Sequence, residues 1–259
     1  SSNNYYHLLL DFLPRLFSLN KNKIKKIDKI IFSKEYLEQN NVVQSILDEL
    51  NIKKKLIFLD KGSYLFRDSF IPSNFSLEKK IFFYKKLLSK YLGGQTNDKI
   101  YVSRKDSANR IIFNENELIN FLKKKNFQIL EMSNLDFINQ VKIFNNAKII
   151  VSMHGAGLAN LIFTKHSASV VEIVPDLSYE TDDWFVNTKN YNHEYKIRKH
   201  FIDITNINEI NHYLYFCSNN DNKKINENQK NRYINITKTG LSIDIYKFSE
   251  FYLKYLDNI

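Results

Sequence analysis

The apolar run Ala147 to Ser152 leads straight into Met153-His154-Gly155-Ala156-Gly157-Leu158-Ala159-Asn160. Two glycines just where a helix begins remove Cβ atoms and let a ligand approach the backbone. The free N–H groups and partial positive charge of a helix N-terminus then suit a diphosphate. His154 beside them can donate to an oxygen or orient a reacting group. The place also fits the rule that ligands of open α/β sheets sit beyond the carboxyl ends of the strands. As a bare pattern Gly-X-Gly is common, and a structural turn beside a buried histidine explains the spacing equally well.

Further candidates lie elsewhere in the chain. Tyr101-Val102-Ser103-Arg104 reads as a strand end followed by a polar loop, with Arg110 six residues on. Two guanidinium groups and a hydroxyl can clamp phosphate oxygens in a geometry that lysine cannot match, and a pair of surface or helix-capping arginines is the competing reading. Glu172 stands inside Val170-Val171-Glu172-Ile173-Val174. A carboxylate in a buried strand needs partners, and either sugar hydroxyls or a neighbouring cation would serve. His7 and Asp11 fall one helical turn apart, with Arg15 a turn further. On a cleft-facing helix Asp11 can take a proton from a hydroxyl with His7 tuning it, whereas an exposed Asp11–Arg15 pair is the plainer account.

The elements that position these residues follow from periodicity. Tyr5 to Leu19 has helical spacing, Ile27 to Phe32 and Lys55 to Asp60 read as strands flanking a helix from Lys34 to Leu50, and Ser76 caps a helix running to about Tyr91. Gly93-Gly94 marks a domain boundary. Strands are then expected at Lys99 to Ser103, Phe127 to Glu131, Ala147 to Ser152 and Ser169 to Val174, with helices from Asn114 and Leu135 between them and a short helix over Leu158 to Phe163. This alternation is the doubly wound α/β pattern. Beyond Asp176 the pattern weakens into a segment with Trp184, a polar stretch from Ser218 to Arg232, a strand at Ile234 to Thr237, and an amphipathic helix from Tyr246 to Leu256 able to pack on either half. The expected division is residues 1–95, 96–217 and 218–259.

Composition narrows the classes. The 259 residues are 43% hydrophobic and 14% aromatic, ample for packed cores. One cysteine, Cys217, excludes an internal disulfide framework and a cysteine-rich zinc site, and it points to a reducing, cytoplasmic setting. No run approaches the roughly 20 apolar residues that span a bilayer. The net charge of +10 comes with lysine runs such as Lys53-Lys54-Lys55 and Lys123-Lys124-Lys125. Solvated helix faces explain these best. An anionic membrane surface or a phosphate-bearing substrate comes next, and nucleic acid last, because the runs are scattered rather than gathered on one face with aromatics.

Taken together, Asn4-Tyr5-Tyr6-His7 through Leu13-Pro14-Arg15, Ser103-Arg104 to Arg110, Asn114-Glu115, Phe127, Gln140, Phe144, Ala147, His154 to Asn160, Phe163 and Val171-Glu172-Ile173 resemble the family 61 glycosyltransferases in order and spacing. The resemblance implies a GT-B-like pair of Rossmann-like halves with a C-terminal helix, and an inverting transfer from a nucleotide-sugar donor to a glycan or glycolipid acceptor of capsule or lipopolysaccharide type. By analogy Ser103, Arg104, Arg110, His154, Gly155, Ala156, Gly157 and Asn160 hold the donor, with Glu172 on its ribose. His7 and Asp11 match the family's His-X3-Asp element and make Asp11 the general base, with Asp60 and Glu131 as other carboxylates for that role. No cofactor or essential metal is expected, since no Asp-X-Asp element follows a donor-half strand and Asp182-Asp183 is unspaced. The expected location is cytoplasmic, with peripheral attachment at the inner membrane face. In two respects the chain departs from the family. His7 stands almost at the start, so part of the first half is expected to precede this sequence, and Leu8 replaces a frequent aromatic, which should alter an acceptor contact. A glycosyltransferase-like module that binds nucleotide or sugar without turnover is the alternative.

Overall fold

The computed structural model describes residues 4–94, 98–106, 111–175, 185–187, 199–217 and 241–259. A near-continuous apolar strand is the signature of a parallel sheet covered on both faces, and β5 (Ala147–Met153) has all but one residue buried. It lies in a six-stranded sheet with β3 (Asp98–Val102), β4 (Gln128–Leu130), β6 (Ser169–Pro175), β7 (Phe185–Asn187) and β8 (Asn211–Cys217). The order is β4-β3-β5-β6-β8-β7, every pairing parallel except β7 with β8.

The crossovers are capped as the sequence suggests. Asn114 precedes α5 (Glu115–Lys124), and Asn126 ends its turn with φ 64°, in the left-handed region that asparagine tolerates. The Asp136 carboxylate accepts the Asn139 N–H at 2.8 Å to open α6 (Phe137–Asn146). Upstream, β1 (Lys29–Ser33) and β2 (Lys55–Leu59) pair in parallel around α3 (Asn40–Glu49), and Ser76 opens α4 (Leu77–Leu87). Between α5 and the end of the chain, α7 (His200–Ile207) precedes β8 and α8 (Ile245–Tyr255) closes the described chain.

Side-chain alternation divides the core between the faces of the six-stranded sheet. On one face Tyr101, Val151, Met153, Val171 and Ile173 pack with Phe248, Phe251 and Tyr252, so α8 covers the larger sheet. On the other face Ile100, Ile150 and Phe163 join Leu8, Leu9 and Leu13 and continue without a break to Ile30, Val43 and Ile81. Tyr84 ties α4 into this core by donating to the Leu9 carbonyl at 2.6 Å and meeting Phe163 edge-on at 5.7 Å.

The structure corrects several expectations. Among the described residues the sheet of the first half has two parallel strands, β1 and β2, and it shares one apolar core with the larger sheet. The opening helix is not uniform. It runs as α1 (Tyr5–His7), a π turn over Leu8–Phe12 and a 3-10 turn over Leu13–Ser18. Pro14 has no N–H to continue an α ladder, which accounts for the change of pitch. Leu8 is fully buried and faces the core, so it makes no acceptor contact. Both α7 and β8 were missed. Trp184, residues 218–232 and the strand expected at Ile234 to Thr237 lie outside the described residues.

Candidate functional site

Parallel register brings β3, β5 and β6 to a common end, with Val102 opposite Ser152 and Ser152 opposite Glu172. The loops that follow enclose a cavity of about 80 Å³ lined by Ser103, Arg104, Asp106, Ser152, Gly155 and Gly157. Glu115, at the start of α5 and buried, holds one wall. Its Oε1 accepts from the Tyr101 hydroxyl at 2.8 Å, the Ser103 hydroxyl at 2.8 Å and the Arg104 N–H at 3.0 Å. Burial, with Glu115 adding to it, raises the Tyr101 phenol well above its ordinary value, so it stays a donor. The Ser103 proton is therefore engaged inside the protein, while its oxygen accepts the Lys105 N–H at 3.2 Å.

The two glycines differ. A Cβ on Gly155 would lie 2.7 Å from Arg104 Nη1, whereas one on Gly157 would meet Met132 and Val102 at an ordinary 3.6 Å. Since Gly155 has an extended φ of 178°, its requirement is space for the guanidinium rather than backbone freedom. Ala156 heads a 3-10 helix over Ala156–Phe163, and Asn160 within it is fully buried. Asn160 accepts from the Tyr5 hydroxyl at 2.7 Å and donates to Gln140 Oε1 at 3.1 Å and to the Gly157 carbonyl at 3.2 Å. Its side chain fastens the loop to α1 and α6 instead of facing the cavity. Arg110 lies outside the described residues.

His154, one residue past the end of β5, and Glu172 on β6 touch directly, Nδ1 to Oε1. The other carboxylate oxygen meets His212 Nε2 at 2.9 Å, and both partners are 1% exposed. Burial alone would raise the Glu172 carboxyl, but the two histidines outweigh it and bring it down to about 2. Because both oxygens are occupied by imidazoles, the carboxylate is walled off from the strand-end cavity, and its expected contact with ribose is revised to a contact with His154.

His7 and Asp11 lie on the half-exposed side of the opening helix, with His7 Nδ1 2.7 Å from Asp11 Oδ2. Asp11 Oδ1 stands 3.6 Å from the largely buried Lys80 ammonium. Arg15 does not pair with the Asp11 carboxylate. It donates to the Asp11 backbone carbonyl at 2.8 Å and to the Pro72 carbonyl at 3.1 Å. The helix is fixed against the glycine loop by the Tyr5–Asn160 bond and by Tyr6, whose ring meets Phe201 at 5.8 Å while Phe201 meets His154 at 5.2 Å. Burial first, then the carboxylates of Asp11 and Asp203, raise the Tyr6 phenol to about 12.

Residues 5–171 match the profile of a family described as Glycosyltransferase 61. The chain belongs to this family. The match runs from the helix that carries His7 and Asp11, through Arg104 and the glycine loop, into β6. Relatives of this family 61 chain include the EGF domain-specific O-linked N-acetylglucosamine transferase of Bos taurus, 34% identical over 80 residues, which are 29% of this chain and 15% of the relative. The protein O-linked-mannose beta-1,4-N-acetylglucosaminyltransferase 2 of Bos taurus is 33% identical over 98 residues, 36% of this chain and 17% of the relative. The Homo sapiens protein of the same name is 37% identical over 73 residues, 27% of this chain and 12% of the relative. The chain thus spans less than a fifth of the length of each of these relatives.

In this family 61 chain the sequence pointed to Glu115 only as part of the resemblance, with no role, and His212 and Lys80 were missed. The strand formers Tyr213-Leu214-Tyr215-Phe216 were a signal for β8 and hence for His212. Among the described residues no group of three or more His, Cys, Asp or Glu side chains has metal-site geometry, and no helix is long and apolar enough to cross a membrane.

Proposed function

We propose that this chain transfers a sugar from a nucleotide-sugar donor to a hydroxyl of a glycan acceptor, with inversion at the anomeric carbon. Two tasks then need protein groups: proton removal from the acceptor and neutralisation of charge on the departing diphosphate. Asp11, steadied by His7 and Lys80, takes the proton. Arg104, the N–H groups of Gly155 to Gly157 and His154 face the diphosphate, Ser103 and Asn160 brace the loop that carries them, and Arg110 is retained as a second phosphate contact. Glu172 acts through His154. The carrying observation is that the helix with the His7–Asp11 pair packs on the same glycine loop that receives the Arg104 guanidinium. The relatives' names describe N-acetylglucosamine transfer, which makes N-acetylglucosamine a donor sugar to test first. Capsule or lipopolysaccharide chains remain the proposed acceptor class, and residues 1–95 and 96–217 the proposed acceptor and donor sides of a GT-B-like arrangement, with 218–259 closing on the core.

A peripheral contact with an anionic membrane surface belongs to the same proposal. Residues 61–71 are all exposed, including Leu65 and Ile71, and Lys23 of α2 (Lys21–Lys26) lies 4.8 Å over the Phe70 ring. Apolar side chains flanked by lysines suit such a surface.

The testing experiment is a thermal-shift screen against UDP, GDP, CMP and their common sugar conjugates, since a ligand that binds only the folded state raises its midpoint. A selective rise that vanishes in His154→Ala and Arg104→Ala is the expected result. Turnover of the bound conjugate, lost in Asp11→Asn, completes it. Binding without turnover under any acceptor would favour the non-catalytic module, and no rise with any nucleotide would refute the donor site.

A further inference from the structure

The rear of the donor site is built by residues beyond the matched segment. Phe201 and Thr205 lie one turn apart on α7. Phe201 packs on the His154 ring, and Thr205 Oγ1 stands 3.0 Å from His212 Nδ1. His212, near the start of β8, places Nε2 2.9 Å from Glu172 Oε2, while Glu172 Oε1 meets His154 Nδ1. The chain Thr205–His212–Glu172–His154 is buried along its whole length.

A lone cation would neutralise a buried carboxylate just as well. Here each oxygen is held by a separate imidazole, and the second imidazole is held in turn by a hydroxyl. A carboxylate pinned at both oxygens cannot turn, and a carboxylate that accepts from one edge of an imidazole sets which edge faces the reaction.

We propose that His212 is a positioning residue for the transfer reaction: backed by Thr205, it fixes the Glu172 carboxylate, which holds the His154 ring with Nδ1–H turned toward β6. This rests on the reading of His154 as a group of the donor site.

The test uses the whole chain labelled with ¹⁵N-histidine. The expected spectrum of the unliganded protein shows slowly exchanging ring protons on His154 Nδ1 and His212 Nε2, assigned with His154→Gln and His212→Gln. In kinetics His212→Leu lowers kcat by about 10- to 100-fold, the range known for groups that orient a metal-bound imidazole, while the donor KM stays near that of the parent. His212→Gln, whose amide can still donate to Glu172, recovers most of kcat. Thr205→Val gives a smaller fall in the same direction and serves if His212→Leu does not fold. A His154 protonated at Nε2 alone overturns the proposal, as does a kcat that His212→Leu and Thr205→Val leave unchanged. If the ring protons are found as expected and no sugar is transferred by the parent chain, the transfer reading fails and the positioning of His154 stands.

Discussion

Replacing Gly155 by alanine separates loss of the donor site from loss of the fold. The new Cβ would stand 2.7 Å from Arg104 Nη1 and 3.3 Å from its Cζ, with the Met153 carbonyl at a comfortable 3.7 Å. Ordinary contact begins near 3.5 Å, so the guanidinium must retreat by roughly 0.8 Å. It is the far end of a flexible side chain, and Gly155 has extended backbone that alanine adopts, so stability changes little and the melting midpoint should move by less than about 2 °C. A displaced guanidinium loses a charge-assisted hydrogen bond to a phosphate. Such a bond contributes about 1.5–3 kcal/mol, which corresponds to roughly 10- to 150-fold weaker binding. Isothermal titration with the nucleoside diphosphate selected in the thermal screen measures it directly. Gly157→Ala is the control, since its Cβ would sit 3.6 Å from its nearest neighbours and should leave affinity within a few-fold of the parent. Equal affinity for Gly155→Ala and the parent, or equal damage from the two substitutions, would refute the placement of the diphosphate against Arg104.

Other outcomes follow from the same geometry. Asp11→Asn keeps the helix and the bond to His7 but removes the proton acceptor, so kcat should fall by about 10²- to 10⁴-fold with nucleotide binding intact; a small fall would move the base elsewhere. If the diphosphate charge is carried by Arg104, His154 and backbone N–H groups, prolonged dialysis against EDTA should leave the transfer rate unchanged, and a loss restored by Mg²⁺ or Mn²⁺ would contradict that account. The Glu172 carboxyl is held down at about 2 by its two histidines. Its folded value lies below its unfolded one, so the stability it contributes is present above the unfolded value, near 4.5, and is lost as pH falls through that window toward 2. Melting midpoints measured across that range should drop steeply in the parent and more shallowly in Glu172→Gln; parallel curves would mean that Glu172 is not the group responsible.

Much of the architecture was readable because local signals and long-range packing agree. The uninterrupted apolar run of β5 is what burial on two faces demands, and the Ser76 and Asp136 caps mark helix starts in sequence and structure alike. The His-X3-Asp spacing placed His7 and Asp11 side by side correctly, since four residues make about one turn in the α and the π pitch alike. Where the reading failed, the deciding contact came from far along the chain. The burial of Leu8 depends on how the opening helix meets Phe163 and Tyr84, more than 60 residues away in sequence.

The glycine loop shows the same limit at the scale of single atoms. Gly155 and Gly157 are indistinguishable as a Gly-X-Gly pattern, yet only Gly155 faces a guanidinium, because Glu115 draws the Arg104 backbone to the end of β3. Glu172 was recognisable as a buried carboxylate in need of partners, sugar hydroxyls or a neighbouring Lys or Arg, but the groups that meet it are His154 and His212, the latter delivered by the β6–β8 pairing from 40 residues downstream. Residue type therefore foretells that a polar group must be satisfied, and topology decides by what. In this chain that difference gives one oxygen of Glu172 to His154 and the other to His212.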